Sequence, residues 1–204
     1  DECSVAGVVR AHVAAKQLAE NESLSPLKLI VGSEFFLTEN DQTTGAGTKS
    51  SCSAKSSSSC LFPDATAGLN GCHFVLLARD RESYGQLSHL ISVARRQAVK
   101  GSYLLDRATL EENLPDRCLA LWIPRPWNVS EQAESEVPWL KGLFPKLWIA
   151  AELLLRGDDK RQLAYLQRLS QQTAVPLCAA GGVYMHTSQC RILQDTLTAI
   201  RLIK

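Results

Sequence analysis

The sequence predicts an α/β protein built on a parallel sheet or barrel, and three observations carry that reading. Strand-length apolar runs alternate with amphipathic helical patterns about five times along the 204 residues. The connections between runs are long enough for the crossovers that parallel strands require. One run, residues 147–155 (LWIAAELLL), has the continuous apolar character of a strand buried on both faces.

Taken in order, residues 3–20 place Val5, Val8, Val9, His12, Val13 and Leu18 near helical spacing, which predicts a helix. Ser25 and Pro26 then break the chain, and residues 27–37 (LKLIVGSEFFL) read as a buried strand. From residue 43 to 60 the sequence TTGAGTKSSCSAKSSSSC has almost no large apolar side chain, too little burial to offset the entropy of ordering. Residues 43–70 are therefore expected to form an irregular, exposed, Ser-rich insert. Residues 73–78 (HFVLLA) give the next strand, followed by a helix with Tyr84, Leu87, Ile91, Ala94 and Ala98 along one face. Arg95, Arg96 and Lys100 crowd its end, where they favour the negative pole of the helix dipole or, alternatively, form a phosphate-binding patch. A short helix over 106–114 leads into the strand 118–123 (CLALWI), stopped by Pro124, Pro126 and Asn128. Residues 131–144 are helical around Pro138, and 147–155 form the strand already named. Residues 159–172 form a helix carrying Leu163, Leu166 and Leu169. A short strand over 175–180 and a helix over 192–203, with Leu193, Leu197, Ile200 and Ile203 in phase, close the chain.

Composition narrows the functional classes. At 45% hydrophobic and 21% charged residues the chain is an ordinary globular protein, neither disordered nor fibrous. Lys and Arg total 22 against 21 Asp and Glu, so a net charge of +1 gives no domain-wide attraction for nucleic acid. No run reaches the roughly 20 apolar residues of a membrane span, and no basic segment followed by an apolar stretch opens the chain. Seven cysteines, Cys3, Cys52, Cys60, Cys72, Cys118, Cys178 and Cys190, are odd in number and scattered without a C-x-x-C pair, which predicts reduced thiols in a cytoplasmic protein. The nearest approach to a metal cluster, Cys52, Cys60, Cys72 and His73, fits no structural zinc spacing. The only methionine is Met185 and the chain starts on Asp1 and Glu2 beside a helical pattern, so a fragment of a longer protein is expected.

In parallel α/β sheets the site gathers at the carboxyl ends of the strands. The polar residues there are Glu34, Glu152, the Gly181-Gly182 turn and His186. Asp1 and Glu2 either end a strand or act as acids at a helix start. Glu34, in an apolar strand, needs a cation, a metal or solvent if it is not to be buried unpaired. Glu152 invites the same reading, with a structural ion pair as its alternative. His12 and His89 fall on helical patterns as exposed or interfacial residues, and His73 opens a strand as a partly buried hydrogen-bonding group.

The blocks DECSVAGVVRAHVAAK, LKLIVGSEFFL, FVLLARDRESYGQLSHLISVARRQAVKGSYLL, CLALW and PLCAAGGVYMHTSQCRILQDTLTAIRL resemble, in order, the polymerase-and-histidinol-phosphatase (PHP) domain of error-prone, C-family bacterial DNA polymerases, relatives of the replicative polymerase III alpha subunit. The resemblance covers nearly the whole chain outside the Ser-rich insert. DECSVAGVVRAH and LQDTLTAIRL are its most specific parts.

The resemblance implies a partial PHP domain over residues 1–204, an incomplete distorted (β/α)-barrel whose first strand is missing. The PHP family binds up to three metal ions through His, Asp and Glu of four motifs, activating water for phosphoester hydrolysis. Asp1 matches the acid of a Thr-Asp-His motif, with Glu2 in place of its histidine, and Glu34 matches the glutamate of a Gly-x-Glu motif. The Gly-Asp-Val-His motif reads Gly181-Gly182-Val183-Tyr184, so both ligands are replaced. His186 would substitute only if its loop re-aimed it. The resemblance therefore implies a vestigial metal site of Asp1 and Glu34, with His186 as a further candidate, and no catalytic residue or cofactor in this segment. The parent would be a DNA-directed DNA polymerase acting in damage tolerance and translesion synthesis in the cytoplasm. It would use magnesium in its palm domain, whereas an intact PHP site would take zinc or manganese. Its partners would be the remaining polymerase domains, DNA and dNTPs through the parent, a sliding clamp and accessory damage-tolerance proteins, and no membrane. The alternatives are a stand-alone PHP-type metal-dependent phosphoesterase and a non-catalytic interaction module.

Overall fold

The computed structural model describes residues 1–20, 27–38, 71–124, 129–153 and 157–202. The expected insert over 43–70 lies outside them. The element order is α1 (Val8–Ala19), β1 (Val31–Phe36), β2 (His73–Ala78), α2 (Arg81–Arg96), α3 (Arg107–Glu112), β3 (Leu119–Trp122), α4 (Val129–Leu143), β4 (Leu147–Glu152), α5 (Asp159–Thr173), β5 (Leu177–Ala180) and α6 (Arg191–Leu202), the last entered through a short 3-10 turn at Ser188–Cys190.

The five strands form one open sheet in sequence order. β3, β4 and β5 pair in parallel, whereas β2 runs antiparallel to both β1 and β3. Four strands thus point one way and β2 points against them, which corrects the expectation of a mainly parallel succession. The cause is the connection from β2 to β3, which makes two passes rather than one. α2 runs back along the sheet, and the stretch after it is held at the far end by Leu104 N–H donating to Ala94 O and Thr38 N–H donating to Leu105 O. α3 and residues 113–118 then return the chain, so β3 starts beside the end of β2, with Leu77 opposite Leu119.

Individual elements follow from local chemistry. At the start of α2 the Asp80 carboxylate accepts from Ser83 N–H (2.8 Å) while Ser83 Oγ accepts from Asp80 N–H (2.9 Å), a reciprocal cap. At the start of α3 the Asp106 carboxylate accepts from Thr109 N–H (2.8 Å). Between β1 and β2, Gly71 passes so close to the Leu37 backbone that any Cβ would overlap its carbonyl oxygen, so only glycine fits. The core is an apolar layer between the sheet and helices α2 to α5. Trp122, Phe35, Phe74, Phe144, Leu87, Leu90, Leu140, Ile149 and Leu166 are fully buried in it. Phe35 and Phe74 stack across β1 and β2 at 5.7 Å between centroids.

The strand read over 147–155 ends at Glu152, with Leu153 46% exposed, and the strand read from 175 starts at Leu177. Two further boundaries differ from the sequence reading for identifiable reasons. Helix α1 begins at Val8, not near Cys3, because residues 1–3 pair along the outer edge of β1. Glu34 N–H donates to Asp1 O (3.0 Å) and Cys3 N–H donates to Glu34 O (2.8 Å). β1 begins at Val31, and Leu27, Leu29 and Ile30 of the predicted strand remain exposed ahead of it. Among the described residues no helix is long and apolar enough to cross a membrane. The five described cysteines, Cys3, Cys72, Cys118, Cys178 and Cys190, are free thiols.

Candidate functional site

Because β1, β3, β4 and β5 run the same way, their carboxyl ends share one edge of the sheet, and the amino end of β2 joins them through the Phe36–His73 register pair. Glu34 and His73 emerge there on the same face of neighbouring strands, and Glu34 Oε1 lies 2.6 Å from His73 Nε2. The His73 ring is fixed by stacking on Phe36 at 4.0 Å between centroids. Burial pushes the Glu34 carboxyl up, but the hydrogen bond and charge of His73 outweigh it and hold the group below its ordinary value.

Glu2 enters from the pairing of residues 1–3 with β1. Its carboxyl is pushed up, by burial first and by Glu34 in addition, against the opposing hydrogen bond of Tyr103 and the charge of Arg95. Tyr103 is half-buried beneath this pair. Its hydroxyl accepts from Phe36 N–H at 3.0 Å and bonds the Glu2 carboxyl, and burial together with the Glu2 charge drives its ionisation far above the usual range. Arg95, from the last turn of α2, donates to three carbonyls, Glu2 O (3.1 Å), Cys3 O (3.1 Å) and Ser102 O (3.2 Å), with its guanidinium 5.5 Å from the centre of the Tyr103 ring. Arg95 thus ties three stretches of chain together below the carboxylates, a role beyond the charge–dipole reading.

From the other side, Gly182 adopts φ +52°, and a Cβ there would stand 3.2 Å from Glu152 Oε1. Two residues on, Tyr184 has its hydroxyl pushed up, by burial first and then by the charges of Glu34, Glu152 and Glu2. Of the sequence-derived residues, Glu152 and the Gly181-Gly182 turn therefore come together, while Glu34 meets His73. Asp1 and His186 are placed otherwise: the Asp1 carboxylate accepts from Gly7 N–H at 2.9 Å at the entry to α1, and the His186 ring faces Cys190 Sγ at 3.8 Å. His12 and His89 are exposed, with His89 Nε2 3.2 Å from Asn113 Oδ1. Tyr103 and Arg95 were not legible as site residues, since no local motif signals a tyrosine and a helix-terminal arginine that meet a segment some 70 to 90 residues distant.

This arrangement does not fit a divalent ion. Asp1 is turned onto a backbone amide, Glu34 is bonded to His73, and Glu2 is held by Tyr103. Among the described residues no three His, Cys, Asp or Glu side chains converge as a ligand set. What the cluster does is bond internally, joining the first residues of the chain to β1, β2 and α2.

The fold and the position of this cluster define an α/β protein whose polar side chains gather at the carboxyl ends of its parallel strands. No family model matches the chain. Over nearly its whole length it is homologous to a segment of proteins named error-prone DNA polymerase. It is 40% identical over 203 residues to the one from Methylococcus capsulatus, with 99% of this chain and 15% of that protein covered. It is likewise 40% identical over 208 residues to the one from Dechloromonas aromatica, covering 16% of it, and 36% identical over 204 residues to the one from Pseudomonas syringae, covering 16%. The chain thus spans about one-sixth of the length of these relatives.

Proposed function

We propose that this chain is the PHP-type portion of an error-prone DNA-directed DNA polymerase and that it serves as a structural scaffold with a vestigial hydrolytic site. Homology to proteins named error-prone DNA polymerase over 99% of the chain is the observation that carries the reading. The strand-end cluster supports the scaffold role. Its charged groups bond to one another and to backbone carbonyls, and among the described residues no ligand set is assembled that would position a metal-bound hydroxide. In the parent, nucleotidyl transfer would be the work of a palm domain with paired carboxylates and magnesium, in translesion synthesis during damage tolerance in the cytoplasm. DNA, dNTPs and a sliding clamp would meet those other domains, since a net charge of +1 gives this segment little electrostatic hold on DNA. The test is primer extension by the full-length protein encoded by the gene that contains this sequence, on intact and abasic templates with magnesium. Extension past the lesion is expected. A full-length protein that extends neither template refutes the reading.

A further inference from the structure

The end of the chain carries an apolar surface that the sheet does not use. On α6, Ile192, Leu193, Leu197 and Ile200 fall on one face and are 79%, 61%, 51% and 64% exposed. The half-buried positions of the same stretch are Cys190, Gln194 and Thr198. Helix α6 therefore turns a polar stripe inward and its apolar stripe outward, the reverse of a helix packed on its own core. β5 shows the same incompleteness. Parallel strands are normally covered on both faces, yet Leu177 to Ala180 at the open edge are half-exposed or exposed.

We propose that the apolar face of α6 is an interface with the remainder of the same polymerase chain, covered by apolar side chains from a segment outside these 204 residues. This rests on the polymerase reading above. Homology reaches 99% of this chain and includes α6, while about five-sixths of the relative lies beyond the matched part, so ample chain exists to cover the face. Size favours the same occupant. Four side chains offer a few hundred Å², short of the roughly 800 Å² per partner of a stable association between separate molecules. A tethered segment needs less, because linkage keeps its local concentration high. The rim is polar, with Arg191 Nε 3.5 Å from Asp195 Oδ2 on the flank away from the apolar stripe, the arrangement of an interface patch with an apolar centre.

The test compares two single-cysteine labelling sites on this helix in the full-length protein. Leu197→Cys reports the apolar face and Asp195→Cys the polar flank, with labelling by a maleimide followed residue by residue by mass spectrometry. Both positions lie on α6, so fraying of the helix affects them together. The expected result is labelling of Leu197→Cys at least about tenfold slower than Asp195→Cys, independent of protein concentration. Equal rates overturn the proposal. Protection that disappears on dilution while the sedimentation coefficient falls also overturns it, in favour of a second copy of the chain. Primer extension by the same preparation reports separately on the polymerase reading, so failure of the interface is distinguishable from failure of that function.

Discussion

Arg95 holds more of the structure together than its position at the end of a helix implies. Its three backbone carbonyls belong to residues 2, 3 and 102, and a planar guanidinium reaches all three, whereas an ammonium on a flexible stem cannot. Arg95→Ala is expected to lower stability by about 3 kcal/mol in urea unfolding, because charge-assisted hydrogen bonds are lost and half-buried carbonyls are left without donors. Arg95→Lys should recover less than half of that. A loss below about 0.5 kcal/mol for Arg95→Ala would remove the tie from the account. Glu34 and Glu2, bridged side by side, should respond to acid in opposite senses. Glu34 has its ionisation lowered by His73, so its contribution is present above the ordinary glutamate value of about 4.3 and is lost as pH falls through its folded value. Glu34→Gln should therefore cost about 1 kcal/mol at pH 7, the gap from the unsubstituted protein closing in acid. Glu2 has its ionisation raised, so the folded state is favoured below the ordinary value and loses that advantage as pH rises through the folded one. Glu2→Gln should stabilise the protein at pH 7 by less than about 1 kcal/mol, water access limiting the gain, and the gain should vanish near pH 4. Urea midpoints across pH 3.5 to 8 (a range of about the carboxylate and imidazole titrations) check both signs.

At the scale of elements, a buried polar contact inside an apolar layer helps dock α4 on β3. Trp122 Nε1–H donates to Glu136 Oε2 at 2.7 Å, with Trp122 fully buried and Glu136 only 5% exposed. Glu136→Ala should cost about 2 to 3 kcal/mol, since it leaves the indole N–H buried without an acceptor. Glu136→Gln, which keeps an acceptor, should cost clearly less. Equal losses in urea unfolding would show that side-chain packing, not the hydrogen bond, fixes α4. The sequence pattern made such elements visible where period and caps agree. The strand over 73–78 and the helix after Asp80 are where the apolar runs place them, because a six-residue β-rich run and a capped amphipathic stripe each have one comfortable conformation. Periodicity failed at residues 3–7, where helical spacing competes with ladder hydrogen bonds to Glu34 that only the folded sheet supplies. The reversed direction of β2 was hidden for a similar reason. Strand direction depends on how many passes the connection makes, and the turn between α2 and α3 is set by contacts with Thr38 and Ala94 that no local pattern records. Glu34, Glu152 and Gly182 were legible at the site because strand ends are where such sheets collect polar groups. Tyr103 was not, because it reaches the site from a loop.

For the whole molecule, the decisive question is whether the strand-end cluster hydrolyses phosphoesters, and the proposed scaffold role requires that it does not. A generic phosphomonoester and single-stranded DNA ends should both remain intact with zinc, manganese or magnesium, and metal-dependent turnover abolished by Glu34→Ala would overturn that expectation. The reason can be probed at Gly182 and Tyr184, where the resemblance implies an aspartate and a histidine. Gly182→Asp places a carboxylate where the backbone has φ +52° and where a Cβ stands 3.2 Å from Glu152 Oε1. Alone it should lower stability by about 1 to 2 kcal/mol, through the left-handed backbone and repulsion between carboxylates. Tyr184→His sets an imidazole in the field of Glu34, Glu152 and Glu2, the same charges that push up the Tyr184 hydroxyl, so its protonated form should be favoured and should offset part of that cost. The double variant adds a carboxylate and an imidazole beside Glu152, and the imidazole can ligate once it is deprotonated, so manganese added at neutral or higher pH should raise its Tm by a few degrees, about the shift that binding worth 1 kcal/mol produces. The unsubstituted chain should show no such rise, because Glu34 remains bonded to His73 and Glu2 to Tyr103. Turnover should stay at background even in the double variant, since occupancy by one ion precedes the placement of a hydroxide against a second. A manganese-dependent rise in Tm for the unsubstituted chain equal to that of the double variant would show that Gly182 and Tyr184 are not what separates this cluster from a metal centre.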